Sequence, residues 1–299
     1  MPGLSKDDEP LTDLAGKLSR HVEQLAGVIG ERNVFCPQAL AAAAEYIRDE
    51  WRAQGYVVSA QGYAVGELWC ENLAVEIPGG PYANDIILIG AHYDSIHRSP
   101  GADDNASGIA ALLELARSFS LLQPACTLRL VAFVNEEPPF FYWGRMGSSE
   151  YARAARAKGE HIRLMLALEM LGYFDDAPGS QAYPPLLRHF FPDCGNFIAF
   201  VANLASRHVL QELVSAFRAG SDFPCEHLAT LAWLPGVAWS DHLSFWREGY
   251  PAVMATDTAF YRNPHYHSVS DTPEKLDYGR MARLVKGLGD AIVALADRP

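Results

Sequence analysis

The chain lacks any C-x-x-C pair, and its five cysteines, Cys36, Cys70, Cys126, Cys194 and Cys225, are odd in number and widely separated. That spacing excludes a thiolate zinc knuckle and a disulfide scaffold. No uninterrupted apolar run is long enough to span a bilayer. The opening stretch, MPGLSKDDEPLTDL, has neither the basic segment nor the apolar core of an export signal. A cytoplasmic chain with reduced thiols is expected, with a trimmed secreted or periplasmic form as the alternative. Basic charge is in deficit: 24 Lys and Arg against 36 Asp and Glu leave a formal charge of -12. Nucleic-acid backbones and anionic membranes, themselves negative, are therefore disfavoured as partners. Internal repeats, low-complexity tracts and charge blocks are also missing.

What is present is a chain of 299 residues, 49% hydrophobic and 20% charged, enough to bury one large core. A single catalytic domain over 1–299 is expected, with 1–10 flexible. Residues 11–27 and 37–54 carry apolar positions at three-to-four spacing and predict helices, the second stopping at Gly55. The period then changes. NLAVEI, DIILIGAHYD, LRLVAFVNEE, LMLALEM, NFIAFVAN and PAVMATD are short apolar runs bounded by turn residues and predict buried strands. Helical spacing returns between them, in residues 106–122, 146–159, 206–220 and 272–295. Such alternation predicts an α/β fold: one three-layer α/β/α domain around a mostly parallel, mixed sheet, its binding crevice at the carboxyl ends of the strands. The loop-rich stretch GYFDDAPGSQAYPPLLRHFFPDCG is expected to form one wall of that crevice.

Acidic and imidazole side chains gather where those strands are predicted to end. IILIGAHYDS ends with His92 and Asp94 on one face of an extended segment, so Asp94 can accept a proton from the far nitrogen of a ligating imidazole. A solvated histidine is the plainer alternative. GADDNASG places Asp103, Asp104 and Asn105 where they could cap the following helix, or where Asp104 could return alongside His92 and bridge two cations. In LRLVAFVNEEPPF, the adjacent Glu136 and Glu137 close an apolar strand. Desolvated carboxylates repel each other unless a cation receives them, so one glutamate would bind metal and the other handle a proton, with a pair simply exposed at a loop as the alternative. Glu169 is the only charge in LMLALEMLGYF, with an ion pair to Arg163 or Arg145 as the alternative. NPHYHSVSDTPEKL offers His265 and His267, followed by Asp271, Thr272 and Pro273 as helix-start residues.

In order, GAHYDS, GADDNASG, NEE, MGS, LEM, SDH and H-x-x-x-D resemble the co-catalytic dinuclear zinc exopeptidases typified by bacterial leucyl aminopeptidases, a family that also contains glutaminyl cyclases. The likeness runs over residues 36–296. It implies two Zn2+ per chain, with His92 and Glu169 on one, Glu137 and His267 on the other, and Asp104 bridging them. Glu136 would be the general base and Asp94 the partner that orients His92. His267 is preferred to His265 because it precedes a small residue and stands four before Asp271. Relatives often carry a cis peptide after the bridging aspartate, here Asp104–Asn105. Glu169 departs from the pattern, which more often has aspartate there.

The implied activity is an aminopeptidase acting on peptides or small amides with a free N-terminus. A glutaminyl-cyclase-like acyltransferase and a non-catalytic binding module are the alternatives. Phe140, Phe141, Phe245, Trp246, Tyr261 and Tyr266 are candidates for the side-chain pocket. A tyrosine from the 170s–180s loop or from the Tyr261–Tyr266 stretch is the candidate for stabilising the oxyanion. SDHLSFW reads as a helix capped by Ser240, with Asp241 and His242 as candidate substrate-positioning groups.

Overall fold

The structure, a computed structural model, describes residues 9–185 and 187–298. Most of the expected flexible start, 1–10, lies outside the described residues, and helix α1 (Glu9–Val22) begins at Glu9. It runs into a π-helical stretch, Glu23–Ile29. There follow α2 (Pro37–Ala53), β1 (Ser59–Val65), β2 (Leu68–Ile77), β3 (Tyr82–His92), α3 (Gly108–Phe119), β4 (Cys126–Phe133), α4 (Phe140–Trp143) and α5 (Gly147–Ala157). The second half holds β5 (His161–Glu169), β6 (Ile198–Asn203), α6 (Arg207–Gly220), β7 (Cys225–Thr230), α7 (His242–Arg247), β8 (Ala252–Thr256) and α8 (Tyr278–Ala296).

The strands form one sheet in the order β1-β2-β4-β3-β5-β8-β6-β7. β3 pairs in parallel with β4 and β5, β5 with β8, and β6 with β7. β1–β2, β2–β4 and β6–β8 are antiparallel. The mostly parallel, mixed sheet is therefore as expected. Its central strands are apolar on both faces because helices cover both. On one side α1, α3, α6 and α8 pack together, with α2 against α3 and β2; on the other, α5 packs against α7. In α2, Leu40, Ala43, Ala44, Ile47 and Trp51 make the buried stripe, each large side chain contributing about 1.5–3 kcal/mol by leaving water. Among the described residues no helix is long and apolar enough to cross a membrane.

Two strands, β1 and β7, were not anticipated. Both are edge strands of half-buried or exposed residues, so neither carries an apolar run. The helix expected from residue 272 starts later: Pro273–Lys275 is a single 3-10 turn, and α8 begins at Tyr278 behind Asp277, whose side chain accepts the Arg280 N–H at 2.9 Å.

Candidate metal centre

Parallel strands deliver their carboxyl ends to one edge of the sheet, and there the candidate residues meet. His92 ends β3 and Glu169 ends β5. Glu136 and Glu137 follow β4 directly after Asn135, which holds a left-handed φ of 58°. A non-glycine residue there is uncommon and turns the chain sharply. His267, expected at a strand end, instead lies in the loop well beyond β8, also at a left-handed φ of 54°. Asp104 sits in the turn before α3, and its peptide bond to Asn105 is cis, as in the resemblance.

His92 Nε2 stands 3.3 Å from Asp104 Oδ1 and 3.4 Å from Glu169 Oε2. His267 Nε2 stands 3.1 Å from Asp104 Oδ2 and 3.4 Å from Glu137 Oε2. Asp104 thus turns one oxygen to each of two triads, His92–Asp104–Glu169 and Asp104–Glu137–His267, whose donor atoms lie within 4.8 Å of one another. His92 Nε2, Asp104 Oδ1 and Glu137 Oε1 are buried without a hydrogen-bond partner among the described residues. Leaving such groups unpaired is costly, and imidazole with carboxylate oxygen is a donor set that suits zinc. The residues fit a cation at each triad.

Four side chains brace these donors. Asp94, 2% exposed, accepts the backbone N–H of Glu136 on Oδ1 and of Glu137 on Oδ2, both at 3.1 Å. His92 Nδ1 lies 3.2 Å from the Asp94 carbonyl and 3.5 Å from its Oδ1. Asp271 repeats the clamp, accepting the N–H groups of Asp103 and Asp104 at 2.9 and 3.1 Å; it was expected only as a helix-start residue. Asn105 gives Nδ2 to the Leu168 carbonyl and takes the Met170 and Gly108 N–H groups on Oδ1, tying the turn to the end of β5. Ser240, expected as a helix cap, donates instead to Glu169 Oε2 at 2.6 Å. Gly101, at φ 62°, starts the turn; a Cβ there would lie 2.4 Å from the Asp104 carbonyl, so only glycine fits.

Arg32 was not anticipated. It is fully buried, and Nε donates to the Tyr93 carbonyl at 2.7 Å, Nη2 to that of Gly101 at 2.8 Å, and Nη1 to those of Gly30 and Pro100. One side chain thereby fastens both ends of the loop between His92 and Asp104. Burial pushes its pKa down to about 10, against the fields of Asp94, Asp271, Asp104 and Glu137.

Without a cation the cluster gathers protons. Burial, followed by the Asp104 charge, pushes Glu137 up to about 7 against the pull of His267. Burial likewise raises Glu136 well above the carboxylate range, and Glu137 and Glu169 add to the rise. Burial and Asp104 raise Glu169. Burial works against protonated His267, yet Asp104 and Glu137 lift it to about 10. His92 is raised in the same way by Glu169, Asp104 and Asp94. Asp104 is held well below its ordinary value, its two histidines overcoming burial.

Several alternatives fall away. His265 turns aside to Ser270 Oγ at 2.8 Å. Arg163 donates to the Arg298 carbonyl and lies 4.0 Å from Asp85, so it does not serve Glu169. His242 Nε2 donates to the Val237 carbonyl at 2.8 Å, and burial pushes its pKa down to about 4. Neither it nor Asp241 lines the cavity beside Glu169. Of the six aromatics expected at the pocket, two are there. Tyr261 and Tyr266 line an apolar cavity beside Glu169, with Tyr183, Leu187 and Phe191 of the expected wall and with Trp239 and Phe260. Phe245 is instead core against Phe133, and Trp246 packs on the same cluster, because the apolar side of α7 faces the sheet. Phe140 is also buried, and neither it nor Phe141 lines the cavity.

The model of peptidase family M28 matches residues 72–292. The chain belongs to that family and is a peptide hydrolase. YfbL of Escherichia coli (strain K12), an uncharacterized protein, is 38% identical over 291 residues, covering 91% of this chain and 85% of the relative. A probable leucine aminopeptidase of Trichophyton verrucosum (strain HKI 0517) is 28% identical over 252 residues, covering 80% of this chain. The chain spans only 60% of that fungal relative's length. Among solved structures, BSAP, a zinc aminopeptidase from Bacillus subtilis, matches with a TM-score of 0.75 at 15% identity over 95% of each chain. The glutaminyl cyclase of Fimbriiglobus ruber matches with a TM-score of 0.67 at 19% identity, over 95% of this chain and 94% of that one. Both likenesses show the fold.

Proposed function

We propose that the chain is a two-zinc aminopeptidase that removes the N-terminal residue of peptides, working as a single catalytic domain. Asp104 carries the reading, since its two oxygens face two complete triads. In this reading His92 and Glu169 hold one ion, Glu137 and His267 the other, and Asp104 both. Zinc ions held there would supply Lewis acidity toward an attacking water and the scissile carbonyl.

The remaining work falls to the chain's own side chains. Glu136, its Oε2 4.0 Å from His92 Nε2, takes the proton of the water and returns it to the departing amine nitrogen. Asp94 holds the backbone on which both Glu136 and Glu137 stand, and it orients His92. Glu169, fixed by Ser240, faces the cavity and receives the free α-amine of the substrate. Tyr266, its ring stacked on His267 at 3.7 Å, is proposed as the hydroxyl that steadies the carbonyl oxygen. The glutaminyl-cyclase-like alternative needs one zinc and leaves one of the two triads without an equal role. The binding-module alternative leaves Glu136 without one.

Aminoacyl-arylamides with free and acetylated N-termini, assayed with zinc and with chelator, test the proposal. Hydrolysis is expected only with zinc and only of the free amine, and Glu136→Gln should slow it by about 10²–10⁴. Equal cleavage of acetylated substrates, or a Glu136→Gln enzyme within about tenfold of wild type, would contradict it.

A further inference from the structure

The cavity beside Glu169 has an acidic far end. β5, β8, β6 and β7 lie side by side, and their register aligns Glu169 with Thr256, Thr256 with Ala199, and Ala199 with Glu226. Directly paired residues project from the same face of a sheet, and all four line the one cavity. The neighbouring row, Met254, Val201 and Leu228, gives it an apolar floor.

Strands lie about 4.8 Å apart, so Glu169 and Glu226 are about 14 Å apart at the backbone. With the two carboxylates standing off the sheet at about that separation, an N···O contact of about 2.8 Å at each end leaves about 8 Å to span. That is close to the distance from the α-nitrogen to the side-chain ammonium of an extended lysine, and an arginine reaches slightly farther.

The Glu226 carboxylate is half-buried, and among the described residues no ion pair or hydrogen bond reaches it. His227 and Tyr183 feel its field. The nearby cations are engaged elsewhere: Arg218 donates to the Cys225 carbonyl, while Arg262, stacked over Phe197, serves Gln181 and the Phe197 carbonyl. A carboxylate left unpaired at the end of an apolar sleeve is unfavourable, and a cation on a long methylene stem matches both its charge and the sleeve.

We propose that this cavity takes the side chain of an N-terminal lysine or arginine, and that Glu226 receives its cation. The proposal rests on the aminopeptidase reading for the position of the α-amine at Glu169. A site built around a buried polar group rejects analogues that lack its partner, so norleucine, which is lysine without the ammonium, is the natural comparison.

Calorimetric binding of L-lysine hydroxamate and L-norleucine hydroxamate to the zinc-loaded protein tests the inference independently of turnover. Lysine is expected to bind at least about tenfold tighter. Glu226→Gln should bring the ratio to within about threefold of one, and Glu226→Lys should favour glutamate hydroxamate instead. Norleucine binding as tightly as lysine, a ratio unmoved by Glu226→Gln, or no binding of either compound would overturn the proposal. Separately, failure of the wild-type enzyme to cleave any free-amine arylamide would count against the aminopeptidase reading, while the binding measurements, which need no turnover, judge Glu226.

Discussion

Asp94 is the place where one atom can be exchanged and the consequence worked out in advance. Its carboxylate accepts two buried N–H groups, those of Glu136 and Glu137, at 3.1 Å each. Asp94→Asn keeps the shape but sets an NH2 donor against one of the two amides. Leaving one buried donor unsatisfied costs about 1–3 kcal/mol. Asp94→Ala removes both acceptors, and the same figure applied twice gives about 2–6 kcal/mol. Because the clamp sets the backbone under Glu137 and faces His92 Nδ1, zinc affinity should fall as well, by about 10–100-fold as for other residues that orient ligands. Denaturant unfolding of the metal-free variants measures the first effect, and zinc competition with a chromogenic chelator the second. An Asp94→Asn protein within about 0.5 kcal/mol of wild type and within about threefold in zinc affinity would show that the clamp does not govern the centre.

Two further expectations concern charge. Arg32→Lys keeps a cation, but one ammonium cannot serve the Tyr93, Gly30, Pro100 and Gly101 carbonyls together. At least two should lose their partner, at about 1–3 kcal/mol each, and zinc should bind at least about tenfold more weakly; wild-type stability and affinity would refute the role of Arg32. The second is a pH dependence. In the metal-free protein Glu137 titrates near 7 instead of its ordinary 4.5, and His267 near 10 instead of 6.5. Both pKa values are raised by folding, so each contribution is complete below the ordinary value and lost as pH climbs through the folded one. Melting with chelator should therefore fall progressively below melting with zinc between pH 5 and about 9, and a gap that narrows over that range would contradict the assignment.

Much of the architecture was legible in the chain because β3, β4, β5 and β8 are covered on both faces and read as unbroken apolar runs. β1 and β7 escaped because an edge strand of half-exposed residues has no such signature. The donors at the two triads were legible because carboxylates and imidazoles ending apolar strands need a reason to be there, and because their order resembles a known family. Arg32 was not, since its partners are backbone carbonyls and carry no mark in a sequence. Ser240 shows a subtler limit. A serine before a short helix reads as its cap, and only the folded chain shows Glu169 within reach of its hydroxyl. The aromatic residues fared worst, because Phe245 in the core and Tyr266 at the cavity look alike until the helix that carries one of them is seen to face the sheet.

The central claim is that folding brings two cations to either side of Asp104. Anomalous X-ray diffraction at the zinc edge, on crystals of the zinc-loaded protein, measures it directly. Two peaks are predicted, one touching His92, Glu169 and Asp104, the other Glu137, His267 and Asp104. A single peak at saturating zinc, or peaks that leave Asp104 bound to only one ion, would contradict the account.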